Sequence, residues 1–359
     1  MVYRRLIKTS FLCYTNIGVD MKIGVDKINY RQIKDKDNEY VYIFNDETLN
    51  ELVKTNLHCI RYDKIDYVDI NTTSYNIPCR RKSTLKENYD DLFAFKNYKI
   101  GIIVPNYNYS HTLEKCLNSI VSQTYKNYEV VFVDDVSTDH SVKIAKSFQD
   151  KMNIKIVELK QKRFNGGARN EAYLYLSDDV DYVYYVDSDD WLYDEYALEK
   201  INNAIQDEPD VLFVTLASSY HNHISIEREP NYKTKYDAML GWSGSCGKVI
   251  KKELATRQEC LYNEGTLKED KNQHRKICIY MNTFDCLQEP IYVWNRDNHK
   301  SVTTIREKIF WGTSTIRHYA DLKQLYLSVR GRDLKIDAIL EEALEKCRNE
   351  IMIGGDKQY

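Results

Sequence analysis

The chain predicts an α/β domain, a mostly parallel sheet with helices on both faces, and three observations support this. From about residue 99, short apolar runs alternate with segments whose apolar residues recur at helical spacing. The runs are almost continuously apolar, as strands buried on both faces are, rather than alternating as half-exposed strands do. Polar clusters follow three of the runs, where open α/β sheets place their ligands, beyond the carboxyl ends of the strands.

The first strand is 99–105, Lys-Ile-Gly-Ile-Ile-Val-Pro, stopped by its proline. Leu113, Cys116, Leu117, Ile120 and Val121 then mark a helix. Residues 128–134 read as a second strand, and 139–150 as a second helix. A third strand covers 153–159, with a helix over 167–177. The fourth strand, 181–187, precedes a helix at 194–206, and 210–216 is a fifth strand. Such alternation implies parallel pairing through right-handed crossovers. The polar clusters are Asn106, Tyr107 and Asn108 after the first strand, 134–139 after the second, and Asp187, Asp189 and Asp190 after the fourth.

Two flanking regions differ from this core. In residues 1–91, a strand at 40–44, a helical pattern at 46–56 and an apolar stretch at 59–70 suggest a small N-terminal αβ unit. A polar, Lys/Arg-rich linker over 71–91 follows it. The α/β domain occupies 92–304, and 305–359 reads as a C-terminal helical extension, with Ile309, Ile316, Tyr319, Leu322 and Leu325 in helical register.

Composition narrows the function. The 51 basic and 54 acidic side chains give a net charge of −3, so no global field draws the protein to nucleic acid. A local patch at Arg80, Arg81, Lys82 and Lys86 keeps a nucleic-acid acceptor as an alternative. The nine cysteines are odd in number and contain no Cys-x-x-Cys pair, which favours reduced thiols over a disulfide framework or a structural zinc. That expectation places the protein in the cytoplasm, with peripheral membrane association left open. Thr9, Ser10, Thr15 and Asn16 interrupt the N-terminal segment, so no signal peptide is expected, and no run approaches the ~18 apolar residues of a spanning helix.

Asp187-Ser188-Asp189-Asp190 is the most informative stretch. Carboxylates crowded at a strand end repel one another unless a cation lies between them. Hard divalent cations take oxygen ligands and leave positions for phosphates, so Mg²⁺ or Mn²⁺ holding a diphosphate is one reading. An acidic turn capping the next helix is the other.

Further motifs follow in order: Val104-Pro105-Asn106-Tyr107-Asn108, Ser122-Gln123-Thr124-Tyr125, and Val133-Asp134-Asp135-Val136-Ser137-Thr138-Asp139. Gly166-Gly167-Ala168-Arg169-Asn170, the acidic stretch at 187–190, and Glu269-Asp270 complete the set. Over roughly 99–302, this order and spacing resemble the family 2 glycosyltransferases of the GT-A (Rossmann-like) fold. Val136 departs from the pattern, standing where that family's loop has glycine.

The resemblance implies an inverting enzyme whose donor is a nucleotide-sugar, with UDP as the nucleotide and Mn²⁺ or Mg²⁺ as cofactor. Its acceptor would be a hydroxyl, on a glycan for instance. Pro105, Tyr107 and Asn108 would border the base, with Tyr107 either stacking on it or packing beside the strand end. Asp135 would accept a base N–H, and Asp134 would bind backbone amides and shape the loop. Arg163, Gly167 and Arg169 would border the diphosphate, although Arg169 equally suits a salt bridge to the acidic strand end. Asp187 and Ser188 would meet the ribose or the metal's hydration shell. Asp189 is the first choice of direct metal ligand, with Asp190 the alternative and Asp187 and His299 as further ligands.

Asp270 would be the base that deprotonates the acceptor, with Glu269 beside it; the competing role for both acids is to favour a helix N-terminus. Trp242 would stack on an acceptor sugar or belong to the core. Three alternatives keep part of this constellation. They are a nucleotidyltransferase, a nucleotide-sugar-binding module without turnover, and the same chemistry on a nucleic-acid base.

Overall fold

The computed structural model describes residues 96–221, 223–266, 268–298 and 308–356, preceded by six short strands. The chain divides into two units, Met1–Lys96 and Asn97–Tyr359. In the first unit the described strands form three antiparallel pairs. These are β1 (Phe11–Cys13) with β2 (Met21–Ile23), β3 (Tyr30–Lys34) with β4 (Tyr40–Phe44), and β5 (His58–Tyr62) with β6 (Ile65–Asp69). The expected strand at 40–44 is β4, and the stretch at 59–70 holds a strand pair. The helix expected at 46–56 and the linker at 71–91 lie outside the described residues.

The second unit is built on one sheet. Its first four strands are β7 (Ile100–Asn106), β8 (Tyr128–Asp134), β9 (Ile154–Glu158) and β10 (Tyr182–Tyr185). They pair in parallel in the order β10-β7-β8-β9. Every residue of β7, β8 and β10 is buried, as continuous apolar runs require.

Successive side chains of a strand face opposite sides, and this sorts the strands into two cores. Ile100, Ile102 and Val104 pack with α1 (Leu113–Val121) and α4 (Ala197–Ala204). Ile103, Val131 and Val183 pack with α3 (Phe164–Ala172) and α7 (Glu269–Tyr280). The remaining helices are α2 (Ser141–Lys146), α5 (Lys235–Leu240), α6 (Lys252–Ala255), α8 (Lys308–Val329) and α9 (Leu334–Asp356). Leu322 and Leu340 bring α8 and α9 into the same core as α7.

The sheet is more mixed than the sequence predicts. β14 (Lys248–Lys251) lies antiparallel between β10 and β12 (Val211–Tyr220), so the expected fifth strand is not β10's neighbour. Only Val249 and Ile250 are apolar in β14, too few for a readable period. β12 continues in parallel to β15 (Phe284–Asn295), and the short β11 (Trp191–Leu192) and β13 (His223–Arg228) add antiparallel edges. Among the described residues, no helix is long and apolar enough to cross a membrane.

One charged group is buried within this sheet. The Glu129 side chain, on β8, is fully buried and receives Lys99 Nζ at 3.1 Å, Lys155 Nζ at 3.2 Å and Ser177 Oγ at 2.6 Å. Burial opposes its charge, but the Ser177 hydrogen bonds and the two lysines prevail and hold its carboxyl down to about 2. A depressed carboxyl stabilises the fold above its unfolded value, and that contribution is lost as pH falls toward the folded one. We therefore expect Glu129→Gln to be less stable than wild type at neutral pH. Acid titration of unfolding should show the difference shrinking between about pH 4.3 and pH 2; a constant difference would remove Glu129 as the cause.

Candidate active site

The carboxyl ends of β7, β8 and β10 meet at one edge of the sheet. Asp134 ties two of them, accepting Asn106 Nδ2 at 2.9 Å on one oxygen and Ser137 N–H at 2.8 Å on the other. It thereby shapes the loop after β8. Asn108 Oδ1 accepts Thr138 N–H at 2.8 Å, so the two loops brace each other. Ser188 Oγ donates to the Pro105 carbonyl at 2.5 Å and fastens the end of β10 to that of β7.

Val136 adopts φ 64° in that braced loop. This is the left-handed conformation natural to glycine, although a β-branched side chain occupies the position. The loop's hydrogen bonds to Asp134 and Asn108 therefore hold a strained residue, with its side chain turned to solvent.

Asp135 is buried and accepts two backbone N–H groups, from Arg163 at 2.6 Å and Phe164 at 2.8 Å. Lys162 Nζ stands 3.6 Å from the same carboxylate and 2.6 Å from the centre of the Tyr107 ring. Tyr107 remains 39% exposed, so part of its ring is open to a ligand. Arg163 forks onto Glu264, with Nη2 at 2.5 Å and Nε at 3.0 Å, and sends Nη1 to Glu171 at 2.5 Å.

Arg169 joins the donor side to the base side. It is buried, and donates through Nη2 to Asp187 at 2.6 Å and through Nη1 to Glu269 at 3.1 Å. Gly166 permits this approach, because a Cβ there would lie 2.7 Å from the Asn263 carbonyl and 3.1 Å from Glu269 Cγ. At Gly167 a Cβ would meet Arg163 Cβ at 2.4 Å, so that glycine accommodates the arginine fork.

The three strand-end carboxylates have different partners. Asp190 accepts Tyr292 Oη at 2.6 Å and Asn295 N–H at 2.8 Å. Burial, then Asp189 and Asp187, push its carboxyl well above the usual range. Asp189 accepts Asn298 Nδ2 at 2.9 Å on one oxygen. Asp187 is the most open, its side chain 30% exposed. Among the described residues, no group of three or more His, Cys, Asp and Glu side chains is arranged to hold a metal ion. Mg²⁺ in phosphate sites needs only one or two carboxylates plus the phosphates. Asp189 and Asp187 fit that donor set, whereas both Asp190 oxygens are directed to β15. His299 lies outside the described residues.

On the opposite side, α7 begins with the acid pair. Glu269 is buried, and burial with the neighbouring Asp270 pushes its carboxyl up to about 7 against the pull of Arg169. Asp270 is half-buried; burial raises its carboxyl, and Lys248 and Arg169 oppose the rise. Lys248 is itself buried, donates to the carbonyls of Ser243 at 2.9 Å and Gly244 at 2.7 Å, and is lowered by burial to about 8. Trp242 packs against the core.

The geometry thus brings together Tyr107, Asp134, Asp135, Arg169, Asp187 and Ser188, and links them to Glu269. Sequence reasoning missed Asn298, Tyr292 and Lys248, and the ion pairing of Arg163. Asn298 directly precedes His299, a residue expected near the metal, and that adjacency was the only signal for it.

Comparison with known proteins agrees with this geometry. The model of the family described as Glycosyl transferase family 2 matches residues 101–253. Glycosyltransferase GlyA of Streptococcus pneumoniae serotype 4 is 31% identical over 216 residues, 55% of this chain and 30% of its own length. A poly(ribitol-phosphate) beta-glucosyltransferase of Bacillus spizizenii is 34% identical over 117 residues, 32% of this chain and 18% of its own. The chain therefore spans only a minor part of these curated relatives. Among solved structures, S. aureus TarS 1-349 in complex with UDP-GlcNAc superposes with a TM-score of 0.54 at 20% identity, covering 70% of this chain and 72% of that one. The same protein with UDP gives 0.54 at 21% identity, covering 70% and 71%. At that identity the likeness establishes the GT-A fold.

The strained loop yields a test. Val136→Gly relieves a left-handed β-branched residue, an effect of about 1–2 kcal/mol, offset in part by glycine's larger unfolded entropy. We expect a net stabilisation of about 1 kcal/mol in urea unfolding, and a destabilised variant would show that the loop is not strained.

Proposed function

Because the chain carries a glycosyltransferase family 2 domain, we propose that it transfers a sugar from a UDP-sugar to an acceptor hydroxyl, on a glycan for instance, with inversion at the anomeric carbon. The observation that carries this reading is the Arg169 bridge, which sets the strand-end carboxylates and the acid pair of α7 on either side of one buried guanidinium. A leaving-group site and a base site within one side chain's span suit a single in-line displacement. The complexes of TarS with UDP and UDP-GlcNAc support UDP as the nucleotide.

In this reading Tyr107 faces the base and Asp134 and Asp135 hold the loops that surround it. Asp135 has one donor on each oxygen and retains lone pairs for a base N–H. Asp189, with Asp187 beside it, would hold Mn²⁺ or Mg²⁺, whose chemistry is to neutralise the departing diphosphate. Asp270 takes the acceptor's proton as its oxygen attacks, a contribution of typically ~10²–10⁴-fold. Glu269 orients Arg169 rather than acting as base, since its Oε1 accepts a hydrogen bond from that guanidinium.

Two variants test the assignment. Asp189→Ala should abolish the Mn²⁺ dependence of UDP binding, read by thermal shift with and without chelator; UDP binding that EDTA leaves unchanged in wild type would rule out the metal. Asp270→Asn keeps the side chain's shape and removes its basicity. It should leave UDP binding intact and lower transfer by at least ~10², and near wild-type turnover would exclude Asp270 as base.

A further inference from the structure

A cavity of about 250 Å³ opens beside the first turns of α7, between that helix, the end of α5 and the C-terminal helices α8 and α9. Lys268, Lys271, His274, Arg275, His318 and Lys346 line it. Two of these cations are engaged with acids: Lys268 pairs with Glu350 at 2.7 Å and Lys346 with Glu342 at 2.5 Å. Among the described residues, no carboxylate forms an ion pair with Lys271 or Arg275. Arg275 Nη1 reaches only the Lys271 carbonyl at 3.4 Å and Asn272 Oδ1 at 3.5 Å, both too long to satisfy a guanidinium.

The two imidazoles add a second requirement. His274 is 1% exposed, and its Nε2 lies 2.8 Å from the Ala238 carbonyl, a partner that can only accept. Nε2 therefore carries the proton, and buried Nδ1 presents a lone pair without a partner. His318 Nδ1 is likewise buried and unpartnered. Burial holds both rings neutral, His274 well below its ordinary value and His318 down to about 3. Buried polar atoms are ordinarily hydrogen-bonded, so each of these lone pairs calls for a donor.

Two unpaired cations call for an oxyanion, and an imidazole lone pair calls for a hydroxyl donor. Resting on the glycosyltransferase reading, we propose that this cavity binds the acceptor through an oxyanion on a hydroxylated carrier, that is, a phosphorylated or carboxylated polyol or sugar. His274 follows Asp270 by four residues and so shares a helix face with it. An acceptor anchored on Lys271 and Arg275 would lie against the helix that carries the proposed base. The C-terminal helices, which lie beyond the matched family segment, supply half of the cavity wall and so set acceptor choice.

Ligand-observed NMR on the full chain with UDP and Mn²⁺ tests this, using sn-glycerol 3-phosphate, glycerate and glycerol as probes. At least one of the two anions should bind and glycerol should not, and the tighter anion identifies the oxyanion as phosphate or carboxylate. K271M/R275M should weaken binding at least tenfold while UDP affinity stays unchanged. Lys271 is exposed, so K271E is a second variant whose fold is not at risk, and it should weaken binding further than a neutral residue at that position. Equal binding by wild type and both variants, or no anion binding by wild type, overturns the proposal. UDP affinity is read separately: a protein that binds the anion but not UDP keeps the cavity and loses the transferase reading.

Discussion

Arg169 is a guanidinium removed from water, and much of the site follows from the partners it therefore needs. Burial opposes its charge, yet Asp187 and Glu269 hold its ionisation well above the ordinary value. The rings of Tyr185 and Tyr262, 5.9 and 5.3 Å away, add their faces to the cation. Removing one member of such a buried pair typically costs about 3–5 kcal/mol, because the charge left behind has nowhere to go. One nitrogen is bonded to a strand end and another to the first turn of α7. The pairing thus fixes the distance between the two halves of the site as well as stabilising them.

The same logic explains how three adjacent acids coexist at the end of β10. Each is assigned a different direction: Asp187 to Arg169, Asp189 to Asn298, and Asp190 back to Tyr292 and the backbone of β15. Asp190 is the most buried of the three, and burial with both acidic neighbours raises its carboxyl. An anchoring acid, a partly open acid and an acid facing a side-chain amide are three environments produced from one short run, and only the latter two suit a cation.

The parallel half of the sheet was legible because its strands lie in nearly continuous apolar runs separated by periodic helices. The strand-end clusters followed from topology, since β7, β8 and β10 all present their carboxyl ends to one edge. What stayed hidden depends on distant returns of the chain. Tyr292 and Asn298 meet Asp190 and Asp189 from 102 and 109 residues away, a separation no local pattern encodes. β14 has only two apolar residues and showed no period, so the antiparallel strand between β10 and β12 went unread. At Val136 the departure from glycine was visible in the sequence but its backbone was not: the residue is left-handed, in a loop that Asp134 and Asn108 hold from both sides.

The acid pair of α7 shows how environment divides two neighbouring carboxyls into two roles. Glu269 turns toward Arg169, is almost wholly buried and has its carboxyl pushed up to about 7. If it were to take a proton during reaction, the buried guanidinium would lose half of its compensation. Asp270, one residue on, points about 100° around the helix, retains access to solvent and feels Lys248 and Arg169 only at a distance. Lys248 cannot approach to neutralise it, because its Nζ is held by the Ser243 and Gly244 carbonyls. In the proposed reaction the base must change its protonation state without collapsing its surroundings, and a proton on Asp270 would leave the Arg169–Glu269 hydrogen bond in place.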